Sequence, residues 1–259
     1  MMGNLDYKQF AERHRPHIHP PGAVLFVTYR LAGSIPKATL REYKAKKDWL
    51  ENQLTRVKIT RGSDANDLNQ WLDRIETFNR RWFIRFEDVL HKANTGPLWM
   101  KDERVAETVA ESLRKLDGDA YRLDAYSVMS NHVHTVFKPF LLEAELQGSF
   151  DEHGRPLFTS DHPGLSRIMH SLKGSSAREC NLILSRAGQF WEHESFDHFV
   201  RDGKFFATIN YVLNNSVKAG LVKDWREWRW NYCRSELSDK LHQFVADSAT
   251  LSIAETTTN

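Results

Sequence analysis

With 259 residues, 41% hydrophobic and 12% aromatic, the chain carries enough apolar material for one sizeable domain with insertions or two small ones, and its composition is not that of a disordered protein. A formal net charge of +2, from 36 Lys and Arg against 34 Asp and Glu, argues against a protein that wraps long duplex by bulk electrostatics. The N-terminus shows neither an apolar signal core nor an amphipathic basic presequence, and no stretch approaches the roughly 20 apolar residues needed to span a bilayer, so the expected location is the cytoplasm.

Ala23 to Arg30 (AVLFVTYR) follows Pro20, Pro21 and Gly22, is rich in β-branched and aromatic residues, and predicts a first strand. From about Thr39 to Ala93 the pattern turns charged and helical. Leu68, Trp71, Leu72, Ile75, Phe78, Trp82, Phe83, Phe86 and Leu90 recur at steps of three and four, which predicts a long helical hairpin. Asn94 to Pro97 breaks it, and Arg104 to Leu116 predicts a further helix. Ala120 to Met129 and His132 to Pro139 then read as two strands with only Ser130 and Asn131 between them, a tight hairpin.

A polar loop from about Leu142 to Pro163 leads to a helix containing His170 to Asn181, in which Gly174 is the weak point. Phe190 to Asp202 reads as a short strand or turn, and Gly203 to Val217 as a helix ending at Gly220. Beyond Glu236 a modest helix to about Val245 gives way to a Ser/Thr/Ala-rich tail expected to be disordered. This order predicts an α+β fold, a ferredoxin-like antiparallel sheet backed by helices. Residues 1–38 would hold the N-terminal segment and first strand, 39–95 a helical arm inserted into the domain, 96–235 its remainder, and 236–259 the tail.

The chemistry gathers in two places. Strand side chains alternate faces, so His132 and His134 point one way while Val133 and Thr135 point the other, making a two-imidazole clamp. A lone His-x-His is weak evidence of a metal site, and the chain holds a second copy, His17-Ile18-His19, whose flanking prolines place it in an extended segment rather than a central strand. The helix from Gly203 strengthens the first pair. At about 100° per residue, Phe205, Phe206, Ile209, Leu213 and Val217 cluster on one side and Lys204, Thr208, Tyr211, Asn215 and Lys218 on the other. A phenol and an amide then stand one turn apart on a polar face.

A divalent ion held by two imidazoles and the Asn215 carbonyl oxygen would act as a Lewis acid on a phosphate oxygen, and the Tyr211 phenol, with an ordinary pKa near 10, could attack phosphorus. With no CxxC pair from Cys180 and Cys233, the ion would rest on histidine and oxygen; imidazoles favour Mn, Zn or other transition ions, while a phosphate substrate and an amide oxygen also admit Mg, so Mg or Mn is expected. No general base is obvious. From Pro163 to Ser235 there are 11 Lys and Arg against 7 Asp and Glu, weak support for a phosphate partner. Lys173, Arg178, Arg201, Lys204 and Lys218 are the candidate DNA contacts, although each alone is more often a solvated charge.

Trp191, His193, Glu194, Asp197 and His198 could suggest a second metal group, although their spacing favours a strand beside the site with Trp191 packed. Trp225, Trp228, Trp230 and Tyr232 could stack on bases or tuck a C-terminal segment against the core.

At HRPHIHPPGAVLFVTYRLAGSIP (His14 to Pro36), GPLWMKDERVA (Gly96 to Ala106), MSNHVH (Met129 to His134), HSLKGSSARECN, GQFWEHESFDHFVRD (Gly188 to Asp202) and YVLNNSVKAGLV (Tyr211 to Val222), the chain resembles the HUH single-tyrosine transposases of the insertion-sequence 200 type, and more closely the REP-associated tyrosine transposases. Ser130 and Ser216 stand where prolines are common in that family, and the arm exceeds its compact members. The resemblance implies a ferredoxin-like fold and a divalent ion on His132, His134 and Asn215. It implies Tyr211 as nucleophile, and single-stranded, hairpin-carrying DNA cut to leave a 5′-phosphotyrosine. The arm could serve homodimerisation or hairpin grip, or simply cover a sheet face. Two rival functions stand beside this one: a hairpin-binding regulator that keeps the fold but does not cut, and a metal-dependent hydrolase in which water attacks.

Overall fold

The computed structural model describes residues 22–60, 65–140 and 163–257. The His17-Ile18-His19 copy and residues 142–162 of the polar loop lie outside them. Five strands, β1 (Leu25–Arg30), β2 (Tyr121–Val128), β3 (His132–Pro139), β4 (Phe196–Phe199) and β5 (Asn231–Cys233), form one sheet in the order β4-β1-β3-β2-β5, with every neighbouring pair antiparallel. The first four strands have the ferredoxin-like arrangement expected of a strand–helix–strand–strand–helix–strand chain. β5 is an added edge that the sequence reading did not foresee.

Two helices, α1 (Lys37–Thr60) and α2 (Ala65–Lys92), make the arm; α3 (Glu103–Lys115) precedes the hairpin β2-β3 and α4 (Pro163–Ile183) follows it. Gly174 lies within α4 without ending it. After β4 come α5 (Phe205–Leu213) and a single turn, α6 (Asn215–Lys218), then β5 and α7 (Ser235–Thr257). The α7 backbone thus runs past Val245, where helix was expected to give way to a tail. No proline or glycine interrupts that stretch to stop it. No described helix is long and apolar enough to cross a membrane.

Strand alternation sorts the core into two layers. Leu25, Val27 and Tyr29 of β1 and Val133 and Phe137 of β3 pack against Val105, Val109 and Leu113 of α3 and Leu172 and Cys180 of α4. On the other face Phe26, Ala125 and Val136 pack against Ile209, Val212 and Leu213 of α5 and Leu241 of α7. His132 and His134 share the parity of Val136, so both belong to the α5 face, opposite Arg30 and Thr28 in register. The C-terminal aromatics are tucked in: Trp230 is buried, the Trp228 indole N–H donates to the Val128 carbonyl at 3.0 Å, and Tyr232 stacks on Tyr126.

The outer part of the arm has its own small core of Leu50, Leu54 and Ile75, while Tyr43 packs among Phe78, Trp82 and Phe86. Its base is seated on the sheet. The Phe83 ring stacks on Phe196 with centroids 4.2 Å apart and meets Phe26 edge-on, and the Asn131 side-chain amide donates to the Leu90 carbonyl at 3.1 Å. The chain leaving the arm passes the chain entering it at Gly96, whose φ is +76° and whose added Cβ would lie 2.3 Å from the Gly33 carbonyl oxygen and 2.8 Å from the Ser34 Cα. Both atoms are backbone and have little room to yield. Gly96→Ala is therefore expected to destabilise the protein by about 3 kcal/mol, from left-handed strain and overpacking together, read as a lower urea midpoint.

Candidate metal and nucleophile site

The hairpin turn sets up the first imidazole. Asn131 is buried and its amide nitrogen donates to the Leu90 carbonyl, so its Oδ1 is the atom facing His132 Nδ1 at 2.7 Å. An amide oxygen only accepts, so His132 Nδ1 carries the proton and Nε2 presents a lone pair. His134 Nδ1 lies 2.8 Å from the Thr28 hydroxyl of the neighbouring strand, which can accept its proton in the same way. The two Nε2 atoms then face one another at 3.0 Å, both fully buried.

The arm brings a third group to this point. Glu87, 5% exposed, places Oε2 3.2 Å from His134 Nε2 and 3.8 Å from His91 Nε2. Burial alone would raise its carboxyl, but His134, His132 and the Tyr211 hydroxyl outweigh that and hold it well below the usual carboxylate range. Burial pushes His132 well below the usual imidazole value, aided by its His134 neighbour, so the ring is neutral. Burial likewise lowers His91.

Glu87, His91, His132 and His134 each offer a ligand atom within 4.8 Å of the others, and among the described residues theirs is the one such group; they could hold a metal ion. The donor chemistry fits. The two Nε2 atoms face one another, and each imidazole has its far nitrogen beside a hydrogen-bond partner.

Tyr211 is half-buried beside them. Its hydroxyl donates to Glu87 Oε2 at 2.7 Å, and its ring lies edge-on to His134 with centroids 5.9 Å apart. Burial first, and the Glu87 carboxylate second, raise the phenol far above its ordinary value, so it holds its proton. Lys218 sits over the ring, its Nζ 4.3 Å from the centroid.

Asn215 follows one turn later, but the helix breaks between the two. Its side-chain amide donates to the Tyr211 and Val212 carbonyls at 2.8 and 3.2 Å, competing with the helical ladder, and α5 ends at Leu213 before α6 begins. The expected continuous helix from Gly203 to Val217 is corrected to that extent. Asn215 Oδ1 lies 2.7 Å from His91 Nε2.

His132, His134, Tyr211 and Asn215 therefore come together, with Lys218 beside them. Lys204 is exposed at the start of α5, and Arg201 is exposed just before it. Lys173 and Arg178 are elsewhere, on α4, which packs on the opposite sheet face. Arg178 is exposed, whereas Lys173 donates to the Glu192 and His193 carbonyls at 3.0 Å each and is pushed down to about 8 by burial and by Arg30. Trp191 is buried and donates its indole N–H to Ser176, as a packing residue would.

Glu87 and His91 escaped the sequence reading. The available signal was a carboxylate four residues after Phe83 and three before Leu90, inside an apolar helix stripe, with a histidine four residues on.

No protein-family model matches the chain, and no curated protein sequence does. Among solved structures, a REP-associated tyrosine transposase bound to a REP hairpin is similar at 13% identity and a TM-score of 0.41, over 86% of this chain and 82% of that one. At that level of likeness the chain's own side-chain geometry has to say what the site can do. Thr28→Val, which keeps the shape but removes the His134 Nδ1 partner, is expected to weaken divalent-metal affinity by about tenfold, measured by calorimetric titration.

Proposed function

We propose that the protein is a metal-dependent, single-tyrosine DNA endonuclease and strand transferase of the HUH kind, acting on single-stranded or hairpin DNA in the manner of a REP-associated transposase. The observation that carries this reading is the shared carboxylate: the Tyr211 hydroxyl and His134 Nε2 both meet Glu87 Oε2, at 2.7 and 3.2 Å, so a nucleophile and a two-imidazole clamp lie side by side. A surface-binding protein has no need to bury such a cluster.

In the reaction, Tyr211 Oη bonds to phosphorus as the bond from phosphorus to the 3′ oxygen breaks. The products are a 5′-phosphotyrosine and a 3′-hydroxyl that has taken up a proton, so the bond energy is kept for rejoining. Glu87 orients the phenol and is the acceptor its proton faces. A divalent ion, Mg or Mn, held by His132, His134 and an oxygen donor, would supply Lewis-acid polarisation of the phosphate. Lys218, Lys204 and Arg201 are the cations assigned to the phosphates around the scissile bond; Arg178 would touch more distant backbone, and Lys173 supports the segment before β4.

The test mixes purified protein with labelled hairpin DNA from the flanks of its own gene, with Mn, Mg or chelator, and resolves the products on a denaturing gel. A metal-dependent covalent adduct is expected, abolished in Tyr211→Phe while hairpin binding survives. Cleavage without an adduct would replace this reading with the hydrolase. Retarded but uncut DNA would replace it with the binding regulator.

A further inference from the structure

We propose that the helical arm completes the metal centre: Glu87 of α2, rather than Asn215, joins His132 and His134 as the third ligand, and Asn215 instead latches the arm in place through His91. The proposal deepens the functional reading and rests on it for the use the ion is put to, but not for which side chains bind it.

Asn215 has little left to offer an ion. Its amide nitrogen is committed to the Tyr211 and Val212 carbonyls, which fixes the direction of the side chain, and its fully buried oxygen accepts from His91 Nε2 at 2.7 Å. That bond also settles His91, because a ring nitrogen that donates its proton has no lone pair for a metal. Of the four clustered side chains, three atoms face one point without being committed to a partner outside the group: His132 Nε2, His134 Nε2 and Glu87 Oε2, and an ion there would displace any proton shared between the last two. Charge favours the same set. Two neutral imidazoles and an amide would leave both charges of a divalent ion uncompensated in a buried site, and a carboxylate removes one of them.

The arm is then part of the catalytic centre rather than a cover for the sheet. Its seating is coupled to the ligands through Asn131, whose one amide group holds the Leu90 carbonyl and sets the tautomer of His132. Glu87 also fixes the Tyr211 hydroxyl, so undocking of α2 would release both a ligand and the nucleophile's orientation.

Free Mn2+ is followed by electron paramagnetic resonance during titration into the full-length wild type, Glu87→Gln and Asn215→Ala, without DNA. Glu87→Gln keeps shape and can still accept from Tyr211; it is expected to weaken Mn2+ binding by about tenfold or more. Asn215→Ala is expected to weaken it by a smaller factor, because Phe83 and Asn131 still seat the arm. Should the Gln variant fail to fold, Glu87→Asp supplies the comparison: it keeps the charge and is expected to bind Mn2+ more tightly than Asn215→Ala combined with Glu87→Asp, and the double variant losing nothing further would overturn the latch. Wild-type affinity in Glu87→Gln, or a loss in Asn215→Ala as large as that in Glu87→Gln, would overturn the ligand assignment. Covalent adduct formation, assayed separately, distinguishes the two readings. An adduct with wild-type Mn2+ affinity in Glu87→Gln sinks only this assignment, whereas the expected Mn2+ pattern with no adduct on any hairpin sinks only the transposase reading.

Discussion

Two imidazole nitrogens and one carboxylate oxygen meet at one buried point in this protein, and the rest of the site is arranged around them. Two imidazole nitrogens face each other at 3.0 Å and a carboxylate oxygen stands 3.2 Å from one of them. With no proton on either facing nitrogen these groups would repel, and burial removes the water that could separate them. A proton shared among them, or a cation, resolves the conflict. Asn131 fixes the far ring nitrogen of His132, and the Thr28 hydroxyl stands at that of His134.

That constraint explains why the sheet and the arm must be assembled together. The carboxylate comes from α2, some forty residues from the hairpin that carries the histidines, and it reaches them because Phe83 seats on Phe196 and Phe26. The return of the chain at Gly96, in backbone contact with Gly33 and Ser34, holds the base of the arm at the end of β1. Local backbone geometry, aromatic packing and the electrostatics of one buried carboxylate are thus parts of a single arrangement. The same carboxylate accepts a hydrogen bond from the Tyr211 hydroxyl, so the position of that phenol depends on the arm as well as on α5.

Much of this was legible residue by residue. The alternation of β3 put His132 and His134 on one face, which follows from periodicity, a local property; the two-sided pattern read for α5 held less well, because the Tyr211 ring packs edge-on to Phe26 against the same apolar cluster as Ile209 and Leu213. The edge strand β5 was not legible, because three residues with no alternation become a strand only when β2 offers them an unpaired edge. The break after Leu213 was hidden for a similar reason: whether the Asn215 amide turns back onto the Tyr211 and Val212 carbonyls is not written in the helical period.

The amino-acid sequence by itself determined which side chains could share a strand face or a helix face, because those periods are built into the backbone. It therefore determined that His132 and His134 share a strand face, and the order of elements that makes the antiparallel sheet. Only the tertiary structure decided that Glu87 and His91 belong beside them and that Lys173 and Arg178 lie across the sheet. Those pairings join residues far apart in the chain, and their geometry is set by how α2 and α4 pack on opposite faces, which no local pattern encodes.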